Sequence, residues 1–198
     1  MIGDANNFDD LTSKNIVEFL AQIFERRGQE EYLGEPVTMA EHMLQGAHLA
    51  NLAGETETVI VATLLHDIGH FTSEFGMFSM QDTDDKYHET AGAKLLDNFF
   101  PPLVIDCIRF HVDAKRYLCA VDDNYHNRLS TASIHSLNLQ GGVMSKAEVD
   151  EFEQQPHLQA IVSVRRYDDQ GKVAGMPTPK FEHYIPAIKR VVDSCLAD

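Results

Sequence analysis

The sequence predicts an all-α fold in a single domain, and three observations carry that prediction. Apolar residues recur at helical spacing along most of the chain, with little of the sustained alternation that marks strands. Helix-start signals precede two of these runs: Thr38 with Glu41, and Ser145 with Glu148, have capping-box spacing. The 198 residues also contain no internal repeat, low-complexity tract or obvious linker, and that length buries a core without disulfide support.

Taken in order, a first helix is predicted over 9–27, with Ile16, Phe19, Leu20, Ile23 and Phe24 on one face and Gly28 as its stop. The loop QEEYLGEPVT leads to a helix from Thr38 to Gly54. The run from Glu57 to Gly69 is apolar nearly all round and is expected to be a central buried helix. Residues 72–86 read as a loop. Helices are expected over 87–99, 103–113, 126–140, 146–155, 157–169 and 180–196, with VAGMPTPK (173–180) as a surface loop before the last.

Composition narrows the function. A formal charge of −15 argues against a nucleic-acid or anionic-membrane partner, either of which favours a basic face. Cys107, Cys119 and Cys195 are scattered without CxxC spacing, which indicates neither a disulfide framework nor a zinc knuckle and favours a reducing cytosol. The acidic start MIGDANNFDD lacks the apolar core of a signal peptide, and no apolar run approaches the ~20 residues of a membrane span. Oligomeric state leaves no mark in the sequence.

The stretch LLHDIGHF (64–71) sets His66, Asp67 and His70 at the end of the apolar run VIVATLL. Burying that much ionisable chemistry is costly unless something binds it. His42, His88 and His111 fall on other predicted helices. Imidazole with carboxylate suits first-row transition metals, and a carboxylate beside a ligating histidine can offer one oxygen to each of two ions. His66–Asp67 is therefore a sensible centre for a dinuclear site.

The set His42, His66-Asp67, His88 and His111 resembles the HD-domain superfamily, a helical bundle of mostly metal-dependent phosphohydrolases with a minority of mixed-valence diiron oxygenases. The loop before the first histidine separates the two. EEYLGEPVTMAEHMLQGAHLA resembles the organophosphonate-cleaving oxygenases of the PhnZ/TmpB type, in which a Tyr-x-Gly-Glu loop closes over the metals. The likeness continues through LLHDIGH, YHE, FHVDAK, the SxxSxxxQ helix and VRRYDD, and so covers about residues 30–170.

The resemblance implies two Fe ions in a mixed-valence Fe(II)/Fe(III) pair, with O2 as co-substrate. One iron would be held by His42, His66, Asp67 and Asp168, the second by Asp67, His88 and His111. The choice of Asp168 over Asp169 rests on the resemblance alone. His70 is implied to contact the phosphonate rather than a metal. Tyr32 is implied to occupy the open iron position until substrate displaces it, and Glu35 to lie near the substrate's amino end.

Other substrate-side candidates come from spacing. His111 and Lys115 are four apart, on one helix face. Ser133, Ser136 and Gln140 form a polar stripe, which without the family pattern serves equally as a solvated face. Arg165 can grip phosphonate oxygens in a fork that lysine cannot reproduce. His48, His126, His135, His157 and His183 are assigned surface or structural roles.

The implied reaction is oxidative C–P cleavage of a 1-hydroxyphosphonate. A primary amine (2-amino-1-hydroxyethylphosphonate) would yield glycine, and the trimethylammonium analogue glycine betaine. Phe71, Phe75 and Phe78, with Tyr32 and Glu35, offer the aromatic and acidic surroundings a quaternary ammonium prefers, which favours the second substrate. The same phenylalanines equally suit packing of the loop onto the core. The rival reading, an HD phosphohydrolase acting on a nucleotide or phosphomonoester, explains the histidines, Lys115 and Arg165 but leaves Tyr32 and Glu35 without a role. A docking domain with a degenerate HD core would lack metal ligands, and none is missing.

Overall fold

The computed structural model describes residue 8 and residues 10–32, 34–72 and 83–195. Its helices are α1 (Ile16–Arg27), α2 (Met39–Leu52), α3 (Glu57–Leu65), α4 (His88–Leu96), α5 (Pro102–Val121), α6 (Thr131–Leu139), α7 (Lys146–Phe152), α8 (Leu158–Gln170) and α9 (Phe181–Cys195). Single 3-10 turns cover Ile68–Phe71 and His126–Arg128. Among the described residues there is no sheet, only an isolated antiparallel bridge between Glu31 and Thr38. None of the described helices is long and apolar enough to cross a membrane.

Helix α3 lies at the centre. Every residue from Val59 to Leu65 is buried, because α2, α5, α8 and α9 all pack around it. Both capping boxes form: the Thr38 hydroxyl accepts from the Glu41 amide, and Ser145 does the same for Glu148, so donors that a helix start would orphan are satisfied.

Several predicted elements differ in extent, and the helix expected over 9–27 begins only at Ile16. The helix expected over 57–69 ends at Leu65, and a 3-10 turn follows from Ile68. That turn runs tightly over α4: a Cβ on Gly69 would fall 1.8 Å from the His88 carbonyl oxygen and 2.7 Å from the Gly92 nitrogen. The helix expected over 103–113 continues to Val121, since its apolar face persists through Ala114 and Leu118. The one expected over 126–140 is interrupted, with Ser130 capping a separate α6. The first of these breaks positions the chemistry, because it turns His66 and Asp67 out of a continuous helix.

Candidate metal centre and adjoining cleft

Helices α2, α4, α5 and α8 and the break after α3 deliver His42, His66, Asp67, His70, His88, His111 and Asp168 to one region, and all seven are buried. Three of the rings are oriented by backbone carbonyls. His42 Nδ1 lies 2.9 Å from the Gly171 oxygen, His66 Nδ1 2.7 Å from that of Thr63, and His111 Nδ1 2.7 Å from that of Ile108. A carbonyl only accepts, so each ring donates Nδ1–H and turns the Nε2 lone pair inward.

The inward atoms crowd into two clusters. His42 Nε2 and His66 Nε2 are 3.1 Å apart, each 3.4 Å from Asp67 Oδ2, and His42 Nε2 is 3.5 Å from Asp168 Oδ1. His88 Nε2 and His111 Nε2 are 3.0 Å apart, and each is 3.3 Å from Asp67 Oδ1. Asp67 thus gives one oxygen to each cluster. Asp67 Oδ2 and Asp168 Oδ1 are buried with no hydrogen-bond partner.

Acceptors facing acceptors in a buried space need a cation, and orphaned carboxylate oxygens beside imidazole lone pairs fit a pair of transition-metal ions. Two groupings, His42 with His66 and Asp168, and Asp67 with His70 and His88, are each close enough to share an ion. Electrostatics point the same way. Burial depresses the His66 pKa, yet Asp67 beside it prevails and raises it to about 9, so the site favours positive charge. Burial, with the neighbouring His88 charge, holds His111 down to about 4, although the adjacent Asp67 carboxylate works against it. Asp168 is opposed by burial, but Arg165, with Nη1 2.6 Å away, and Lys172 keep it well below the usual carboxylate range.

His70 stands slightly apart. Its ring stacks on His88 at 4.0 Å between centroids, and its Nε2 is 3.8 Å from Asp67 Oδ1, farther than the 3.3 Å of His88 and His111.

A cleft of about 560 Å³, counting solvent at its mouth, opens onto these clusters. Tyr32 and Glu35 line it from the loop before α2. Gly34, at φ +75°, allows the turn in which the Glu35 amide donates to the Tyr32 carbonyl at 2.8 Å. The Tyr32 ring stacks on His42 at 3.9 Å, and burial, with the nearby Asp67 and Asp168 carboxylates, pushes its hydroxyl pKa up. Glu35 accepts a hydrogen bond from Ser130, the N-cap of α6.

Lys115, Ser133, Ser136, Gln140 and Arg165 line the same cleft. The polar stripe on α6 therefore faces the site rather than bulk water. Lys115 is 3% exposed and donates to Ser136 Oγ (2.8 Å) and Gln140 Oε1 (2.6 Å). Burial, with repulsion from Arg165, brings its pKa down to about 7. Arg165 is less free than its fork suggests: it is paired with Asp168 and Asp169, and its Nε donates to the Tyr125 hydroxyl at 3.1 Å.

Phe71 packs in the core against Phe24, not on the cleft, which removes it from the aromatic surface expected for a quaternary ammonium. Phe75 and Phe78 lie outside the described residues. His157 pairs with Asp106 (2.8 Å), in keeping with a structural role. Sequence reasoning missed Ser130, Tyr125 and Lys172. A signal existed for Lys172, which lies four residues beyond Asp168 and 3.7 Å from its Oδ1.

Comparison with known proteins agrees with this geometry. The HD domain family model matches residues 39–149. The chain is 62% identical to the [1-hydroxy-2-(trimethylamino)ethyl]phosphonate dioxygenase (glycine-betaine-forming) of Leisingera caerulea, over 92% of this chain and 93% of that protein. It is 45% identical to the hydroxymethylphosphonate dioxygenase of Gimesia maris, over 91% and 88%. It is also 33% identical to the uncharacterized protein L432 of Acanthamoeba polyphaga mimivirus, over 90% and 82%. With a matching family model over more than half its length and relatives aligned along nine-tenths of it, the chain belongs to the HD-domain family, among its phosphonate dioxygenases.

Proposed function

We propose that this protein is an O2-dependent enzyme that cleaves the C–P bond of [1-hydroxy-2-(trimethylamino)ethyl]phosphonate, giving phosphate and glycine betaine. The observation that carries the proposal is Asp67, shared between two clusters of inward-facing acceptors at the floor of a cleft lined by Lys115 and Arg165. The 62% identity to the glycine-betaine-forming dioxygenase supports this substrate over the primary amine. It also disfavours the phosphohydrolase reading.

In this reading His42, His66, Asp67 and Asp168 hold one iron, and Asp67, His88 and His111 the other. When bound, the iron pair supplies the electrons and the O2 activation that no side chain here provides. The chain's own residues bind and orient. His70, Lys115, Ser133, Ser136, Gln140 and the free N–H groups of Arg165 receive the phosphonate oxygens. His70 stays on the substrate side because it is farther from Asp67 than His88 and His111 are. Tyr32, stacked on His42, covers the clusters until substrate moves it aside, and Glu35 faces the nitrogen end. Lys115 and Arg165 neutralise charge on the departing phosphate.

The stoichiometry closes without another reactant. One C–H and one C–P bond break, one oxygen atom of O2 goes to carbon and the other to phosphorus, and the hydrogen leaves as a proton. We read the 198 residues as one HD domain and, with three free cysteines, as a cytosolic protein. The test is to follow phosphate release from the hydroxyphosphonate with and without O2. Release that requires O2, one for one, is expected. Anaerobic release from a phosphomonoester at comparable rate would return the protein to the phosphohydrolases.

A further inference from the structure

Lys172 lines the cleft, and neither the motif pattern nor the roles above use it. Its backbone is fixed on both sides. The preceding Gly171 carbonyl accepts from His42 Nδ1 at 2.9 Å. The following Val173 is held by both its backbone groups: Gln45, itself buried, donates to the Val173 carbonyl at 2.8 Å and accepts from its amide at 2.9 Å. A lysine between two such anchors has a defined reach.

Its ammonium donates to Ser133 Oγ at 3.0 Å and lies 3.7 Å from Asp168 Oδ1 and 3.9 Å from Glu35 Oε1. It also stands 5.8 Å from the centroid of the Tyr32 ring. A carboxylate and an aromatic ring are the surroundings that recognise an organic cation. In this cleft a cation belonging to the chain already occupies them.

We propose that Lys172 determines which hydroxyphosphonates the cleft accepts, by acting as an internal stand-in for a substrate's cationic end. The inference rests on the hydroxyphosphonate reading above. A phosphonate with no positive charge of its own leaves Lys172 on Glu35 and Asp168 and gains from the nearby ammonium. A phosphonate bearing a quaternary nitrogen brings a second cation to the same carboxylate, and Lys172 must give up Glu35. The lysine therefore favours cation-free ligands relative to cationic ones, and Glu35 is the group over which the two cations compete.

The test is calorimetric binding of hydroxymethylphosphonate and of [1-hydroxy-2-(trimethylamino)ethyl]phosphonate to the metal-replete protein without O2. Wild type is compared with Lys172→Met, Lys172→Gln and Lys172→Arg, each checked for metal content and helical content. Loss of one charge-assisted contact corresponds to about a tenfold change in affinity. Lys172→Met is expected to weaken hydroxymethylphosphonate about tenfold while the trimethylammonium compound binds as well as before or more tightly. Lys172→Arg retains the charge and is expected to restore the wild-type ratio. Should the methionine variant fail to fold, Lys172→Gln is expected to show the same change of ratio. Equal losses for both ligands would reduce Lys172 to an ordinary packing or anion contact and overturn the proposal. Wild-type protein that binds neither phosphonate would overturn the proposed function, and this inference with it.

Discussion

His42 donates its Nδ1–H to the carbonyl of Gly171, 129 positions further along the chain, at 2.9 Å. This bond ties α2 to the end of α8 and fixes which His42 nitrogen faces the metal clusters. Gly171 is suited to the place because a Cβ there would lie 2.9 Å from the His42 oxygen and 3.2 Å from the Gly46 nitrogen, both backbone atoms that cannot swing aside. Gly171→Ala is therefore expected to cost roughly 1–3 kcal/mol of stability and to lower metal content. A melting curve and elemental analysis check both.

Asp67 touches both clusters, whereas Asp168 touches one. Asp67→Ala is expected to lose both metals and Asp168→Ala mainly one, as measured by metal per chain after desalting. His70→Ala is expected to keep both metals and to weaken phosphonate binding.

Lys115 is held near pH 7 by burial and by Arg165, so in the free protein its ammonium predominates only below about 7. A bound anion favours the charged form. Binding above that pH therefore takes up a proton, and affinity falls as pH rises. Calorimetry at pH 8 in two buffers of different ionisation enthalpy is expected to show this uptake in wild type. It is expected to be reduced in Lys115→Met with the same ligand.

Tyr125 accepts from Arg165 Nε at 3.1 Å and donates to Asp169, which itself pairs with Arg165. Removing the hydroxyl leaves that guanidinium less constrained. Tyr125→Phe is expected to raise KM about tenfold with metal content unchanged. Loss of metal would instead make Tyr125 part of the scaffold beneath Asp168.

Helix order and both capping boxes were legible because they are local, set by 3.6-residue spacing and by pairs three residues apart. The break at His66–Asp67 was not, because the apolar pattern runs on through Ile68. What ends the helix is the packing of Gly69 on the His88 carbonyl, a contact made across the fold. The histidines and Asp67 stood out as ionisable residues on an apolar helix. Lys172 offered only its spacing of four from Asp168, since its placement in the cleft depends on Gln45 holding Val173 from 128 residues away. The pairing of Arg165 with Asp169 follows i,i+4 spacing and was available in the sequence, but spacing cannot say how much of the guanidinium then remains for a ligand.

In the proposed function Asp67 would serve two irons at a site that binds hydroxyphosphonates. The most direct test is an electron paramagnetic resonance spectrum of iron-loaded, partly reduced protein, recorded with and without [1-hydroxy-2-(trimethylamino)ethyl]phosphonate. An antiferromagnetically coupled S = 1/2 signal that shifts when the phosphonate is added is the expected result. Protein that retains two irons per chain yet shows no coupled signal at any stage of reduction would contradict it.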